Sequence, residues 1–297
     1  MYHDPVLLQE SVAGLDIKKN GIYVDVTFGG GGHSKAILKQ LGEEGKLFAF
    51  DQDKDALSNQ WNDDRLVVIH QNFRHLKRFL KFYGVQKVDG ILGDFGVSSH
   101  QFDEPSRGFS IRFEGELDMR MNADQSLSAH QVVNHYESKA LSDLFFEYGE
   151  LRNSRGIANR ICDSRKAGPI NTTLELNTCL KPLLPKNHES KILAQVYQAI
   201  RIEVNQEMEV LKEFLVQTQD VVKVGGRLSL ISYHSLEDRW VKRFVQNGCF
   251  EREPKKDDFG NPLVPFKKIG GIVLPSEQEI KNNSRARSAK LRVAKKI

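Results

Sequence analysis

The stretch Gly21-Ile22-Tyr23-Val24-Asp25-Val26-Thr27-Phe28-Gly29-Gly30-Gly31-Gly32-His33-Ser34 decides the fold. Its first eight residues form an apolar run rich in β-branched and aromatic residues, the composition of a buried strand. Four glycines follow, and Lys35-Ala-Ile-Leu-Lys-Gln-Leu41 then carries a helical pattern. Strand, tight glycine turn and helix in that order open a βαβ unit. Outward from there the rhythm repeats. Lys46–Phe50 reads as a second strand ending at Asp51, followed by a helical stretch. Leu66–Ile69 reads as a third, leading to Asn72-Phe73, and residues 74–83 as a helix. Val88–Leu92 is a fourth, ending at Gly93-Asp94. Strands alternating with helices at this spacing predict an α/β fold with a doubly wound, Rossmann-like parallel sheet. Before the first strand, residues 4–14 predict a short helix with Asp4 as cap and Pro5 at its first position.

After Ser99 the alternation stops. Up to about Leu193 there are polar loops and helical stretches, among them Ser138–Phe146 and Thr172–Leu180, with no convincing strand. Ile192–Val222 predicts one long helix, striped by Val196, Ile200, Val204, Leu211 and Leu215. Gly225-Gly226 is expected to end it, and Arg227–Tyr233 to form a fifth strand. His234–Arg239 lies just past that strand, and strand-like pieces recur at 271–274 and 289–294. The expected organisation is a discontinuous α/β domain, residues 1–102 and 205–297, interrupted by a helical domain at 103–204.

Composition narrows the classes. Of 297 residues, 39% are apolar and 28% charged, which excludes a membrane-embedded chain and argues against disorder. The amino-terminal segment MYHDPVLLQE has neither a basic region nor a long apolar run, so no secretory leader is expected. Cys162, Cys179 and Cys249 are far apart and form no CxxC pair, so neither a metal site nor a disulfide framework is expected. The net charge of +4 is unevenly placed: residues 251–297 hold twelve Lys/Arg against six Asp/Glu, and the final seventeen hold seven basic residues and no acid. A basic segment on a near-neutral body suits a polyanion, most often nucleic acid, or is a solvated tail.

Ligands of open parallel sheets bind at the carboxyl ends of the strands, near the point where strand order reverses. That rule gathers Gly29–His33, Asp51, Phe73, Asp94 and His234, although more than two hundred residues separate the first from the last. The glycines let a ligand approach the backbone and leave helix N–H groups facing it. Asp51, at the end of the second strand, is placed to accept both hydroxyls of an adenosine ribose. A dinucleotide motif would have a third glycine where Ser34 stands. The string Asp25-x-Thr27-x-Gly29-x-Gly31 fits instead the turn that holds S-adenosylmethionine (SAM), with Asp25 toward the cationic amino group or capping local N–H groups.

Several longer strings carry a family resemblance: TFGGGGHS around His33, Gly93–Ser99, Arg107-Gly-Phe-Ser110, Leu117–Met121, Gln198–Asn205, Ser232–Arg239 and Ser284–Ser288. In these the chain resembles, over essentially its full length, the bacterial ribosomal RNA small subunit methyltransferase H (MraW) family. The resemblance implies SAM-dependent methylation of the exocyclic N4 amine of a cytidine in the decoding region of 16S rRNA. It implies a cytoplasmic enzyme whose partner is that rRNA within the small ribosomal subunit, with no membrane and no DNA expected. It carries cofactor contacts onto Gly31, Gly32, His33, Asp51, Phe73, Asp94 and Gln101. Departures lie beside the site: Gly93 and Phe95 where the family often has leucine, and His100 where it usually has proline.

The chemistry then assigns roles. Asp51 holds ribose hydroxyls, and Phe73 packs on adenine. Asp94 binds the methionine part of SAM or accepts from the cytidine amine. Amino methyltransferases often place a Pro-Pro-aromatic loop at that point, and this chain has Asp94-Phe-Gly-Val instead. Tyr233, His234 and Ser235 are expected to line the base pocket. Arg107, Arg112, Arg120, Arg285, Arg287, Lys290 and Arg292 are candidates for phosphate contacts, the last four as basic edges of a terminal strand. Rival readings are a DNA amine methyltransferase, a nicotinamide-linked oxidoreductase and a non-catalytic RNA-assembly factor.

Overall fold

A computed structural model describes residues 5–297 of the chain. It divides into two compact units, residues 1–96 with 208–297, and residues 97–207. The boundaries fall a few residues outside the expected insertion at 103–204. The expected cap Asp4 lies outside the described residues.

The first unit begins with helix α1 (Leu8–Gly14). Its N-cap is Leu7 at φ 51, and the Leu7 N–H donates to the Glu279 carboxylate over 2.7 Å. Strand β1 (Ile22–Asp25) leads through the glycine turn to α2 (Gly32–Leu38). Strand β2 (Lys46–Asp51) is followed by a 3-10 turn at Lys54–Asn59, where a helix was expected. Strand β3 (Leu66–His70), helix α3 (Leu76–Phe82) and strand β4 (Val88–Asp94) complete this half.

Alternation of side chains builds the core on both faces of the sheet. Tyr23, Leu47 and Ala49 pack with α1 and α2, whereas Val24, Phe48 and Phe50 pack on the other face with Leu76, Leu80 and Phe214. Each such large apolar side chain removed from water contributes about 1.5–3 kcal/mol.

The second unit is helical: α4 (Ser99–Asp103), α5 (Ala129–His135), α6 (Ser138–Glu147), α7 (Ser154–Ser164), α8 (Thr173–Leu180) and α9 (Glu189–Asn205). Leu141, Phe145, Ile157, Ile161, Leu176, Val196 and Ile200 form its own core. Capping boxes start α5 at Ser128–Gln131 and α8 at Thr172–Glu175.

The expected single helix over 192–222 is two. α9 stops at Asn205, Gln206 takes φ 51, and α10 (Glu207–Val221) begins anew. The Asn205 side chain is drawn to the loop at 119–121, accepting from the Met121 N–H and donating to the Met119 carbonyl.

The first unit resumes with β5 (Val222–Ser232), α11 (Ser235–Asn247), β6 (Phe266–Val273), α12 (Glu277–Asn282) and β7 (Lys290–Lys296). Gly225-Gly226 does not end the preceding helix. It sits inside β5 at an irregularity where Val222 faces Val88 but Arg227 already faces Gly90. Gly225 takes φ 84, and a Cβ on Gly226 would lie 2.8 Å from the Asp89 carbonyl.

Among the described residues the sheet has seven strands in the order β3-β2-β1-β4-β5-β7-β6. The first five are parallel, and β7 runs antiparallel to both neighbours. The chain winds outward from β1 to β3 and then returns to place β4 on the other side of β1. The reversal therefore lies between β1 and β4, and a ligand crevice is expected at their carboxyl ends. No helix among the described residues is long and apolar enough to cross a membrane.

Candidate functional site

The glycine turn is held from below by Asp25, which is fully buried at the end of β1. One carboxylate oxygen accepts from the Ser34 hydroxyl over 2.7 Å. The other accepts from the Thr27 N–H at 3.1 Å and its hydroxyl at 3.4 Å. Asp25 is thus engaged within the turn, and Ser34 stands where a dinucleotide motif has glycine because its hydroxyl anchors that carboxylate.

Thr27 connects the turn to the next strand, since its hydroxyl accepts from the Asp94 N–H over 2.7 Å. The glycines have separate reasons. Gly29 takes φ 49 and Gly31 φ 75, in the left-handed region that favours glycine. A Cβ on Gly31 would lie 2.6 Å from the Trp61 ring, and one on Gly32 2.1 Å from Pro5. Trp61 stacks on Phe28 with centroids 5.9 Å apart and lies under the Lys35 ammonium. Trp61 was not among the expected site residues, and its only sequence signal is a tryptophan in the polar loop after Asp51.

Asp51 ends β2 beside this turn. Its two oxygens accept from the N–H groups of Gly29 and Asp53, each over 2.8 Å. Burial pushes its carboxyl up to about 6 against those two hydrogen bonds. Each oxygen keeps a lone pair, so the carboxylate can accept two further hydroxyls. Phe73 follows β3 at the start of a 3-10 turn, half-buried against Phe95 and Phe214 at centroid distances of 5.9 and 5.3 Å. It gives this end of the sheet an apolar wall.

At the end of β4, Asp94 brings together residues from four segments. Its Oδ2 lies 3.9 Å from the buried His33 Nδ1, while His33 Nε2 meets the Val6 carbonyl at 3.2 Å. The Tyr233 hydroxyl, just past β5, donates to the Asp94 carboxylate. Asp94 Oδ1 is buried and has no hydrogen-bond partner among the described residues. Burial raises the Asp94 carboxyl to about 6, opposed by His33 and the Tyr233 hydroxyl. Burial and the neighbouring Asp94 charge push the Tyr233 phenol well above 10, so it stays a donor. Gly96, at φ 111, lets the chain pass the Tyr233 ring, which a Cβ there would meet at 3.3 Å.

His234 occupies the N-cap of α11. Its Nδ1 accepts from the Glu237 N–H at 3.4 Å, and its Nε2 lies 3.1 Å from Glu237 Oε1 without a hydrogen-bond partner among the described residues. Glu237, buried, accepts the N–H groups of Tyr233 and His234 at 2.8 and 3.3 Å. Glu237 therefore positions both residues. The sequence spacing His234-x-x-Glu237 is a capping-box signal that went unread. Ser235 is exposed at the first position of α11.

Gln101 belongs to the inserted unit. It is buried, and its side chain completes a capping box with Ser98 at the start of α4.

The basic candidates divide sharply. Arg107 donates to the carbonyls of Arg120 and Met121. Arg120 pairs with Asp118 at two points, 2.8 and 2.9 Å, and donates to the carbonyls of Ala123 and Gln125. Arg292 grips Asp238 at 2.7 and 3.1 Å. These three guanidiniums are engaged by the fold. β7 is the last strand of the chain, as expected, but lies inside the sheet, with β6 at the edge. Arg112 and Arg287 are exposed, Arg285 is half-buried in a 3-10 turn at Ser284–Ser288, and Lys290 lies 3.7 Å from Asp238.

A family model described as the MraW methylase family matches residues 1–297. A protein of Christiangramia forsetii named ribosomal RNA small subunit methyltransferase H is 65% identical over 296 residues, covering 100% of this chain and 98% of that one. Proteins of the same name are 62% identical in Flavobacterium johnsoniae, with the same coverage, and 51% identical over 298 residues in Parabacteroides distasonis, covering 100% and 98%.

Proposed function

The chain belongs to the MraW methylase family, and from that membership we propose that it transfers a methyl group from SAM to the N4 amine of a cytidine in the decoding region of 16S rRNA, in the small ribosomal subunit and in the cytoplasm. The names of its relatives support an rRNA substrate. The observation that carries the chemistry is the partnerless Asp94 Oδ1 at the crevice between β1 and β4. A buried acceptor left without a donor costs about 1–3 kcal/mol, and an amine N–H offsets that cost.

The residues present fit the cofactor. Asp51 has free lone pairs for the ribose hydroxyls, Phe73 supplies an apolar face for adenine, and Gly29 to His33 let the backbone come close. The sulfonium of bound SAM supplies an already activated methyl group. What remains for the protein is to place the amine in line and raise its nucleophilicity. The N4 lone pair is delocalised into the ring, so an acceptor drawing on one amine hydrogen favours attack.

Asp94 Oδ1 is that acceptor in this reading. Tyr233 holds the carboxylate by donating to it, Thr27 fixes the Asp94 backbone, and Glu237 fixes Tyr233. With a carboxyl near 6, Asp94 is ionised at neutral pH and basic enough to take the amine proton as the methyl bond forms. His234, held by Glu237, and Ser235 flank the base. The inserted unit recognises the substrate, with Arg112 on its surface and Arg285, Arg287 and Lys290 on the first unit as phosphate contacts.

Single-turnover methylation at saturating SAM by Asp94→Ala tests this assignment. The expected result is a fall of at least about a hundredfold, within the usual range for a positioned acid–base group, with SAM still bound. A near-normal rate would overturn the role of Asp94.

A further inference from the structure

We propose that the sheet face carrying Arg227, Lys295 and Lys267 is a contact track for the RNA backbone, an inference that rests on the rRNA-substrate reading. The three residues lie on adjacent strands. Arg227 of β5 faces Lys295 of β7, and Lys295 faces Lys267 of β6. Residues directly opposite across antiparallel strands project from the same face, with Cβ atoms about 4.5–5.5 Å apart. The result is a row of three cations running to the edge strand of the sheet.

Like charges placed opposite one another destabilise a sheet unless an anion lies between them. The protein supplies such an anion only at the inner end, where Asp16 accepts from Arg227 over 2.7 Å. Arg227 Nε is nevertheless buried without a partner. Lys267 and Lys295 are exposed, and neither has a carboxylate within ion-pair distance among the described residues. Of the other basic side chains that the sequence offers to phosphates, Arg107, Arg120 and Arg292 are engaged by the fold, whereas Arg112 and Arg287 are exposed. Lys267 and Lys295 add two exposed, unneutralised charges on this face.

A polyanion fits it better than an apolar or acidic-peptide groove would require. The row belongs to the same sheet as Asp94. Arg227 lies five residues before Ser232 on β5, roughly 17 Å from the carboxyl edge at ~3.3 Å per residue. Between the row and that edge this face is covered, since Ser229, Ile231, Leu291 and Val293 are buried beside α1, so the row meets RNA away from the target base.

The test is the salt dependence of binding to 16S rRNA and to small ribosomal subunits lacking the modification. It compares wild type with the double variant Lys267→Glu/Lys295→Glu, and with Lys267→Gln/Lys295→Gln as a milder pair. Lys295→Glu places a carboxylate opposite Arg227, and the two new carboxylates only repeat the like-charge opposition of the lysines they replace. The control reverses Lys39 and Lys81, exposed lysines elsewhere on the same unit, for the same change in net charge. The expected result is a slope of log K against log salt shallower by about 1 to 2, since each lost phosphate contact removes roughly 0.7–0.9. SAM affinity is expected to be unchanged, and the control to keep the wild-type slope. A wild-type slope in the double variant, or an equal loss in the control, would overturn the track; the first of these would point to a protein partner for the row. Wild-type binding to the RNA with no methyl transfer would overturn the substrate reading instead, and the salt slopes would still decide the track.

Discussion

The backbone N–H of Asp94 donates to the hydroxyl of Thr27 over 2.7 Å, and the same hydroxyl donates to Asp25. One small side chain thereby ties the glycine turn after β1 to the acid that ends β4. The two strands are neighbours in the sheet but far apart in sequence, and their carboxyl ends form the crevice. Replacing Thr27 by valine keeps the shape and removes both bonds. The Asp94 N–H then lacks an acceptor, so Thr27→Val is expected to lower stability by about 1–3 kcal/mol and to slow methyl transfer. Thr27→Ser retains the hydroxyl and is expected to keep most of the rate. Thermal unfolding and single-turnover rates of the two variants check this, and equal rates would remove Thr27 from the account.

Asp51 and Asp94 both have carboxyls raised to about 6 by burial. Below that pH they hold protons, and above it they are acceptors. Ribose hydroxyls and a cationic cofactor both favour the ionised form, so bound SAM lowers both values. SAM binding at pH 6 is therefore expected to release protons, and at pH 8 to release none. Calorimetry in buffers of different ionisation enthalpy reads this directly: the apparent enthalpy depends on buffer at pH 6 only. By the same sign, SAM affinity rises from pH 5 to 7 and then levels.

Removing the Asp51 carboxylate takes away the proposed ribose contact and also frees the Gly29 and Asp53 N–H groups. Asp51→Ala is expected to weaken SAM about 10- to 100-fold, as for the loss of charged hydrogen bonds, with RNA affinity unchanged. Equilibrium binding of SAM and RNA, measured separately, checks both halves.

Arg292 and Arg287 are close in sequence and differ in surroundings. Arg292 is held at two points by Asp238, both side chains being largely buried, whereas Arg287 is exposed. Arg292→Ala leaves Asp238 without its main partner and is expected to cost about 3 kcal/mol of stability, with the RNA salt slope unchanged. Arg287→Ala is expected to leave stability alone and flatten the slope by somewhat under 1. Melting temperatures and salt titrations of the pair separate the roles.

The first half of the sheet was legible because local signals and tertiary demands agree there. β1, β2 and β4 are short apolar runs that end at Asp25, Asp51 and Asp94, and the glycines between β1 and α2 mark the turn. Past Ser99 the signals part. The apolar stripe from Val196 to Leu215 continues in register across Gln206, so periodicity could not reveal that α9 ends where Asn205 bonds the 119–121 loop. Gly225-Gly226 has the composition of a helix end but serves an irregular strand. β6 carries exposed Lys267 and Lys268 and was read only from residue 271, because an edge strand buries little. The charge of Arg292 was visible in the sequence, but its neutralisation depends on Asp238, fifty-four residues earlier.

Transfer from labelled SAM to small ribosomal subunits lacking the modification, with the modified nucleoside mapped by mass spectrometry, tests the central claim most directly. Free 16S rRNA and duplex DNA run alongside. The account predicts label on the N4 amine of a decoding-region cytidine in subunits, abolished by Asp94→Ala. Label on a ring carbon or on duplex DNA, or none on any substrate while SAM remains bound, would contradict it.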